Sequence, residues 1–247
     1  MNLDLVYLRP KSDGLPTLVF LHEGLGSLGL WRDFPERLAQ GTGYGAIIYS
    51  RLGYGRSPKA EVPRPADYMH HEACHVLPEV LTHCNVASRD TVLVGHSDGA
   101  TIALIFAGSL SQKDQPRRLI VESPHLFVEP RSMDGVRAAK LAYESGNLRA
   151  KMEKHHDDVD ATFYGWNNVW LGAAFSTMTI EADCARIHVP VLAIQGREDA
   201  YGTMQQLDAL ARLVRGRFVR CELDGCGHAP HHEKPDETLA IMLAFLE

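Results

Sequence analysis

Short apolar runs alternating with longer amphipathic stretches constrain this chain more than any other feature. Thr17–Leu21 (TLVFL), Ala46–Ser50 (AIIYS), Thr91–Gly95 (TVLVG), Leu119–Glu122 (LIVE), Val191–Gly196 (VLAIQG) and Phe218–Leu223 (FVRCEL) are of strand length and rich in Val, Ile and Leu. A strand with one wet face alternates apolar and polar residues. One covered on both faces reads as a continuous apolar run, as the strands of a buried parallel sheet do. Helical patterns separate the runs: Trp31–Ala39, Asp67–His83, Gly99–Ser111, Thr203–Val214 and Pro235–Leu246. Pro235 opens the last of these, where its missing N–H costs nothing. This alternation predicts an α/β fold, a mostly parallel sheet with helices on both faces.

The rhythm breaks from residue 130 to 186, where no good strand occurs. Helix-like pieces at Met133–Ser145 and Asn147–His156 precede an aromatic-rich stretch, Phe163–Phe175. The expected organisation is one core, residues 1–129 and 187–247, interrupted by a helical cap at 130–186. A chain of 247 residues accommodates one domain with an insertion. Its 45% hydrophobic and 23% charged residues exclude disordered and collagen-like classes. The net charge of −6 leaves no basic stripe for nucleic acid. No run approaches the roughly 18 apolar residues of a membrane span. The N-terminal residues lack a basic region followed by an apolar run, so no signal peptide is expected. Cys74, Cys84, Cys184, Cys221 and Cys226 are scattered, odd in number and without a CxxC pair. Free thiols in a cytoplasmic protein without structural zinc are expected.

The chemistry concentrates at Gly95-His96-Ser97-Asp98-Gly99, which closes a predicted strand and opens a predicted helix. G-x-S-x-G in that context is a nucleophile elbow. The serine occupies a sharp turn, the small residues two before and two after admit it, and the hydroxyl is lifted toward the positive helix N-terminus. A serine hydroxyl needs a base. His228 follows the last run in a Gly- and Pro-marked loop, Asp224–Pro230, and is the expected base; His231 and His232 are rivals expected at the rim or surface. Asp199, after the run VLAIQG, is the expected acid that fixes the histidine tautomer, with Glu198 as the alternative. An oxyanion hole is the fourth requirement, where one lost donor costs about 3–4 kcal/mol. The backbone N–H of Asp98 is one expected donor. The other comes from His22–Ser27, with Gly24 favoured.

With these segments in order Ser, Asp, His, the chain resembles the α/β-hydrolase superfamily, in its capped esterase, lactonase and C–C hydrolase branch. His22 through Trp31 is similar to the family's H-G-x-x-G-S segment with its trailing Trp, and Tyr49–Ser57 (YSRLGYGRS) to its D-x-x-G-x-G-x-S loop. The resemblance spans essentially the whole chain. It implies a small-molecule substrate, no cofactor, no metal and no particular oligomeric state, and makes residues from about 130 the cap that shapes the pocket. Trp166 and Trp170 are its candidate substrate contacts.

Two acids depart from the family pattern. Glu23 stands where glycine is usual, and Asp98 where a neutral residue follows the nucleophile. Both are expected near the mouth of the site. Either they are structural, with Asp98 bonded to backbone, Arg51 or Arg56, or they select a substrate carrying an amine or a positive charge. Other signals read as bland. His71 and His75, four apart on one helix face, are expected at the surface, and His155–Asp158 at a helix boundary. Cys226 lacks a base and acid of its own. The predicted function is hydrolysis of an ester, thioester or lactone through an acyl-enzyme. The alternatives are C–C hydrolysis of a ring-cleavage product and a non-catalytic ligand-binding role.

Overall fold

Each apolar run becomes a strand, and a strand that the pattern does not reveal joins them at one edge. Residues 2–247 are described in a computed structural model. Leu5–Leu8 (β1), Thr17–Leu21 (β2), Gly45–Tyr49 (β3), Thr91–His96 (β4), Arg118–Glu122 (β5), Val191–Gly196 (β6) and Phe218–Leu223 (β7) form one sheet, ordered β1-β3-β2-β4-β5-β6-β7. All neighbours are parallel except β1 and β3. β1 spans only four residues and is half-exposed, too short for its pattern to stand out. At the opposite edge, β7 carries Arg220, paired with Asp208 and Glu222, a charged edge that discourages pairing with another sheet.

The helices, in chain order, are Phe34–Thr42 (α1), Tyr68–His71 (α2), Leu77–His83 (α3), Asp98–Ser109 (α4), Pro130–Ser145 (α5), Leu148–Met152 (α6), Val159–Trp170 (α7), Glu181–Cys184 (α8), Gln205–Leu213 (α9), Pro230–Glu233 (α10) and Pro235–Leu246 (α11). Successive strand residues part to opposite faces. Leu18, Phe20, Ile48 and Val94 pack with Trp31, Phe34 and Leu38 and with Met242 and Leu246 of α11. Val19, Leu21, Ile47 and Leu93 face α3, α4 and α9. α4 is apolar all round because it is buried along nearly its whole length.

The expected helix Asp67–His83 is in fact three pieces: α2, a π-helical turn at Glu72–Val76, and α3. Pro78, second in α3, has no N–H to return to the preceding turn, and the ladder is re-registered before it. Between β5 and β6 the regular elements are helices joined by loops, with an isolated bridge between Phe127 and Thr179. Pro130 starts α5, and the Asp158 side chain accepts the Ala161 N–H at 3.2 Å to cap α7. Among the described residues no helix is long and apolar enough to cross a membrane.

Candidate active site

β4 delivers Ser97 to the carboxyl end of the sheet with φ 53° and ψ −116°, a left-handed conformation that costs a non-glycine residue of order 1–3 kcal/mol. The flanking glycines make the turn possible. A Cβ on Gly95 would lie 2.4 Å from the Gly99 carbonyl oxygen, and one on Gly99 would lie 1.9 Å from that of Leu21. The Ser97 N–H donates to the Glu122 carbonyl at 2.9 Å and ties the turn to β5.

Asp199 follows β6 and His228 follows β7, so two adjacent strand ends bring them together. His228 Nδ1 donates to Asp199 Oδ1 at 2.8 Å, so that in the neutral ring Nε2 carries the lone pair. Asp199 is buried and accepts further bonds from the Tyr201 N–H at 2.8 Å, the Gly202 N–H at 3.3 Å and the Gln195 amide at 3.1 Å. Burial works against its ionised form. The His228 charge, the His228 hydrogen bond and the Tyr201 N–H outweigh it, and the carboxyl is held far below the usual range. Glu198 is spent elsewhere: its carboxylate accepts the Cys226 N–H at 2.9 Å.

Ser97 and His228 line one cavity of about 210 Å³. Glu23, Gly24 and Leu25 form one wall. Val136, Trp166 and Trp170, from α5 and α7, form the roof. Trp166 lies directly on Gly24, so that a Cβ there would fall 2.1 Å from its Nε1. A larger groove of about 670 Å³ runs past Arg56, Lys59 and Asp158, but none of the expected catalytic residues lines it.

The two departing acids separate. Contrary to the expectation that both lie near the mouth, the Asp98 side chain is fully buried. It accepts the Tyr68 hydroxyl at 2.5 Å, Tyr68 in turn accepts the Trp170 indole N–H at 3.2 Å, and Arg51 stands 4.0 Å from the carboxylate. Arg56 is not a partner of its carboxylate. Glu23 does line the cavity, beside His96 at 3.5 Å. Burial disfavours a charged His96, but the nearby carboxylate of Glu23, with Glu122 behind, pushes its pKa up to about 9. His96 Nε2 donates to the His228 carbonyl at 2.8 Å, which the Ser123 hydroxyl also reaches at 2.9 Å.

His231, expected at the rim, is buried and joined to Glu122 through Nδ1 at 2.9 Å and its N–H at 3.0 Å. Register explains this: β5 places Glu122 directly beside His96, beneath α10. His232 is half-buried, and burial lowers its pKa to about 4. His125 is a lining residue that sequence reasoning missed. It is buried, its Nδ1 has no partner, and burial reinforced by the charge of His228 lowers its pKa to about 3. His156 clasps two loops, taking the Gly55 N–H at 2.9 Å and reaching the Leu25 carbonyl at 3.0 Å. The Cys226 thiol is buried and pushed up to about 11, far from thiolate character at neutral pH. Among the described residues no group of three or more His, Cys, Asp or Glu side chains is placed to hold a metal ion.

Comparison with known proteins follows the same lines. Residues 18–241 match the model of the Alpha/beta hydrolase family. A curated relative, the putative carbamate hydrolase RutD of Pseudomonas savastanoi pv. phaseolicola, is 26% identical over 262 aligned positions covering 93% of each chain. In structure the chain is similar to MGS-M2, an alpha/beta hydrolase from a Medee basin deep-sea metagenome library, with a TM-score of 0.75 at 19% identity over 99% of this chain and 94% of that one. A thermophilic esterase from Thermogutta terrifontis superposes with a TM-score of 0.69 at 19% identity, covering 99% and 92%. With its sheet order, its sharp strand-to-helix turn and this match across most of its length, the chain belongs to the α/β-hydrolase family.

Proposed function

We propose that this hydrolase uses Ser97 as nucleophile, His228 as general base and Asp199 as its orienting acid to cleave a small ester, thioester or lactone. The observation that carries the reading is the strained Ser97 sharing a cavity with a histidine whose Nδ1 is held by a buried carboxylate at 2.8 Å. Ser97 Oγ attacks the carbonyl carbon while its proton passes to His228 Nε2. The tetrahedral oxyanion is met by the N–H groups of Gly24 and Asp98. It collapses with the leaving group taking the proton from His228, and water then attacks the acyl-enzyme by the same route. Asp199 stabilises the imidazolium at each step.

The helices of residues 130–186 act in this reading as the cap. Trp166 and Trp170 supply apolar walls, and the cavity size favours short acyl groups. A carbamate substrate is the second reading. The relative named as a putative carbamate hydrolase spans nearly the whole chain, and Glu23 places a carboxylate acceptor for an N–H on the cavity wall. Hydrolysis of p-nitrophenyl acetate, butyrate and a p-nitrophenyl carbamate by wild type and Ser97→Ala tests the proposal. The expected result is turnover by wild type and a fall of about 10³-fold or more in the variant. Equal rates in the two proteins refute Ser97 as nucleophile, and the ratio of ester to carbamate rates decides between the readings.

A further inference from the structure

The buried guanidinium of Arg51 lies behind the cavity wall, and no step of the proposed chemistry uses it. Its side chain is 1% exposed. One nitrogen, Nη2, donates to the Glu23 carbonyl at 2.8 Å and reaches the His22 carbonyl at 3.3 Å. The same nitrogen stands 4.0 Å from Asp98 Oδ2. The Tyr54 ring, 4.6 Å from the guanidinium carbon, supports it from one side. A buried cation with this placement has a cost that its partners must offset, so its geometry is fixed by all of them together.

Resting on the serine-hydrolase reading, we propose that Arg51 is a positioning residue that aligns both oxyanion donors, through the Glu23 carbonyl on one side and the Asp98 side chain on the other. The first half follows from peptide geometry. In a trans peptide the N–H points opposite to the C=O. The carbonyl of the Glu23–Gly24 peptide is held by Arg51 at 2.8 Å, by His22 Nδ1 at 2.8 Å and by the Gly26 N–H at 3.1 Å. Anchored there, the peptide turns the Gly24 N–H away from Arg51, and Gly24 itself lines the cavity with Ser97. His22 assists as a neutral ring. Burial and then the Arg51 charge keep its pKa well below the ordinary value, and Nε2 accepts the Arg51 backbone N–H at 3.1 Å.

The second half concerns α4. Asp98 is its first residue, so partners that hold its side chain restrain the helix start that carries its donor N–H. Arg51 draws the carboxylate from one side and Tyr68 holds it from the other. Lysine does not replace this arrangement, because its one nitrogen cannot stand at the Nη2 position on the Glu23 carbonyl and also keep the contact that Arg51 Nε makes with His22 Nε2 at 3.4 Å.

Arg51→Met and Arg51→Lys are compared with wild type in p-nitrophenyl acetate hydrolysis, with active sites titrated by a fluorophosphonate that labels Ser97. Both variants are expected to lose about 100-fold in kcat per titrated site with KM within about threefold, since misplacing catalytic groups by an ångström costs that much. Affinity for phenylboronic acid, which forms a tetrahedral adduct on Ser97, should fall in parallel, and guanidinium ion should restore part of the kcat of Arg51→Ala. A purely structural role lowers the melting temperature but leaves the kcat of titrated sites and the boronate affinity intact, and that result overturns the proposal. If Arg51→Met does not fold, Arg51→Lys decides by the same criteria. Wild type that neither turns over ester nor labels at Ser97 overturns the hydrolase reading and this inference together, whereas active wild type with active Arg51 variants overturns the inference alone.

Discussion

Gly24→Ala is the substitution whose consequence can be worked most directly from the geometry. Gly24 carries the proposed oxyanion donor, and its Cα faces the indole of Trp166. An added Cβ would lie 2.1 Å from Nε1, 2.4 Å from Cδ1 and 2.8 Å from Cε2 of that ring. These separations all fall below 3.0 Å, closer than real Cβ contacts come, so either the loop or the indole must move. The indole has little room: Trp166 is 6% exposed and packs against Phe163 and Trp170. The loop is held by the bonds converging on the Glu23 carbonyl. Displacement of about 1 Å costs about 10²-fold in rate, and complete loss of one donor costs about 10²–10³-fold. The expected result for Gly24→Ala is therefore a kcat about 100-fold below wild type, with the fold retained by circular dichroism.

Trp166→Val supplies the control, because it removes the ring atoms that the new methyl meets. The double variant Gly24→Ala with Trp166→Val should recover most of the kcat lost by Gly24→Ala, relative to Trp166→Val alone. Such recovery is a coupling between two residues in contact, read as a double-mutant cycle. A Gly24→Ala enzyme within threefold of wild type refutes the placement of the donor. A low kcat that the second substitution does not restore refutes the clash as its cause.

Two further outcomes follow from the site. Asp199→Asn keeps the shape of the acid but removes the charge that holds His228 in its tautomer, so kcat should fall about 10³–10⁴-fold with little change in KM; a loss below tenfold by steady-state kinetics excludes Asp199 as the orienting group. His125, with its folded pKa lowered to about 3 from an ordinary value near 6.5, binds a proton more readily in the unfolded chain. Its contribution to stability is thus present above pH 6.5 and lost as pH falls from there toward 3, a few kcal/mol in all. Urea unfolding at pH 7 and pH 4.5 should show a smaller acid loss for His125→Gln than for wild type, and an unchanged loss refutes the assignment.

What the sequence discloses and what it hides divide along a physical line. The strands β2 and β4 are covered on both faces, so burial writes itself into them as continuous apolar runs. β1 pays for its edge position with a short, half-exposed pattern that carries no such mark. Ser97, Asp199 and His228, the proposed catalytic residues, are each marked in the sequence for a local reason. Each sits where a strand ends in a turn, and glycines mark those turns because backbone crowding there admits no side chain, as at Gly95 and Gly99. The layer behind them has no local reason. Glu122 and His231 are 109 residues apart and meet because register sets β5 beside β4 and α10 above both. Arg51 reaches Glu23 and Asp98 through a crossover that reverses the strand order at β3 and β2. A histidine after a proline, or an arginine in a glycine-rich loop, has the composition of a solvated residue until the sheet order is known. The polar network behind the site is therefore a property of strand register, and substitutions within it are best judged from the pairs that the sheet brings together.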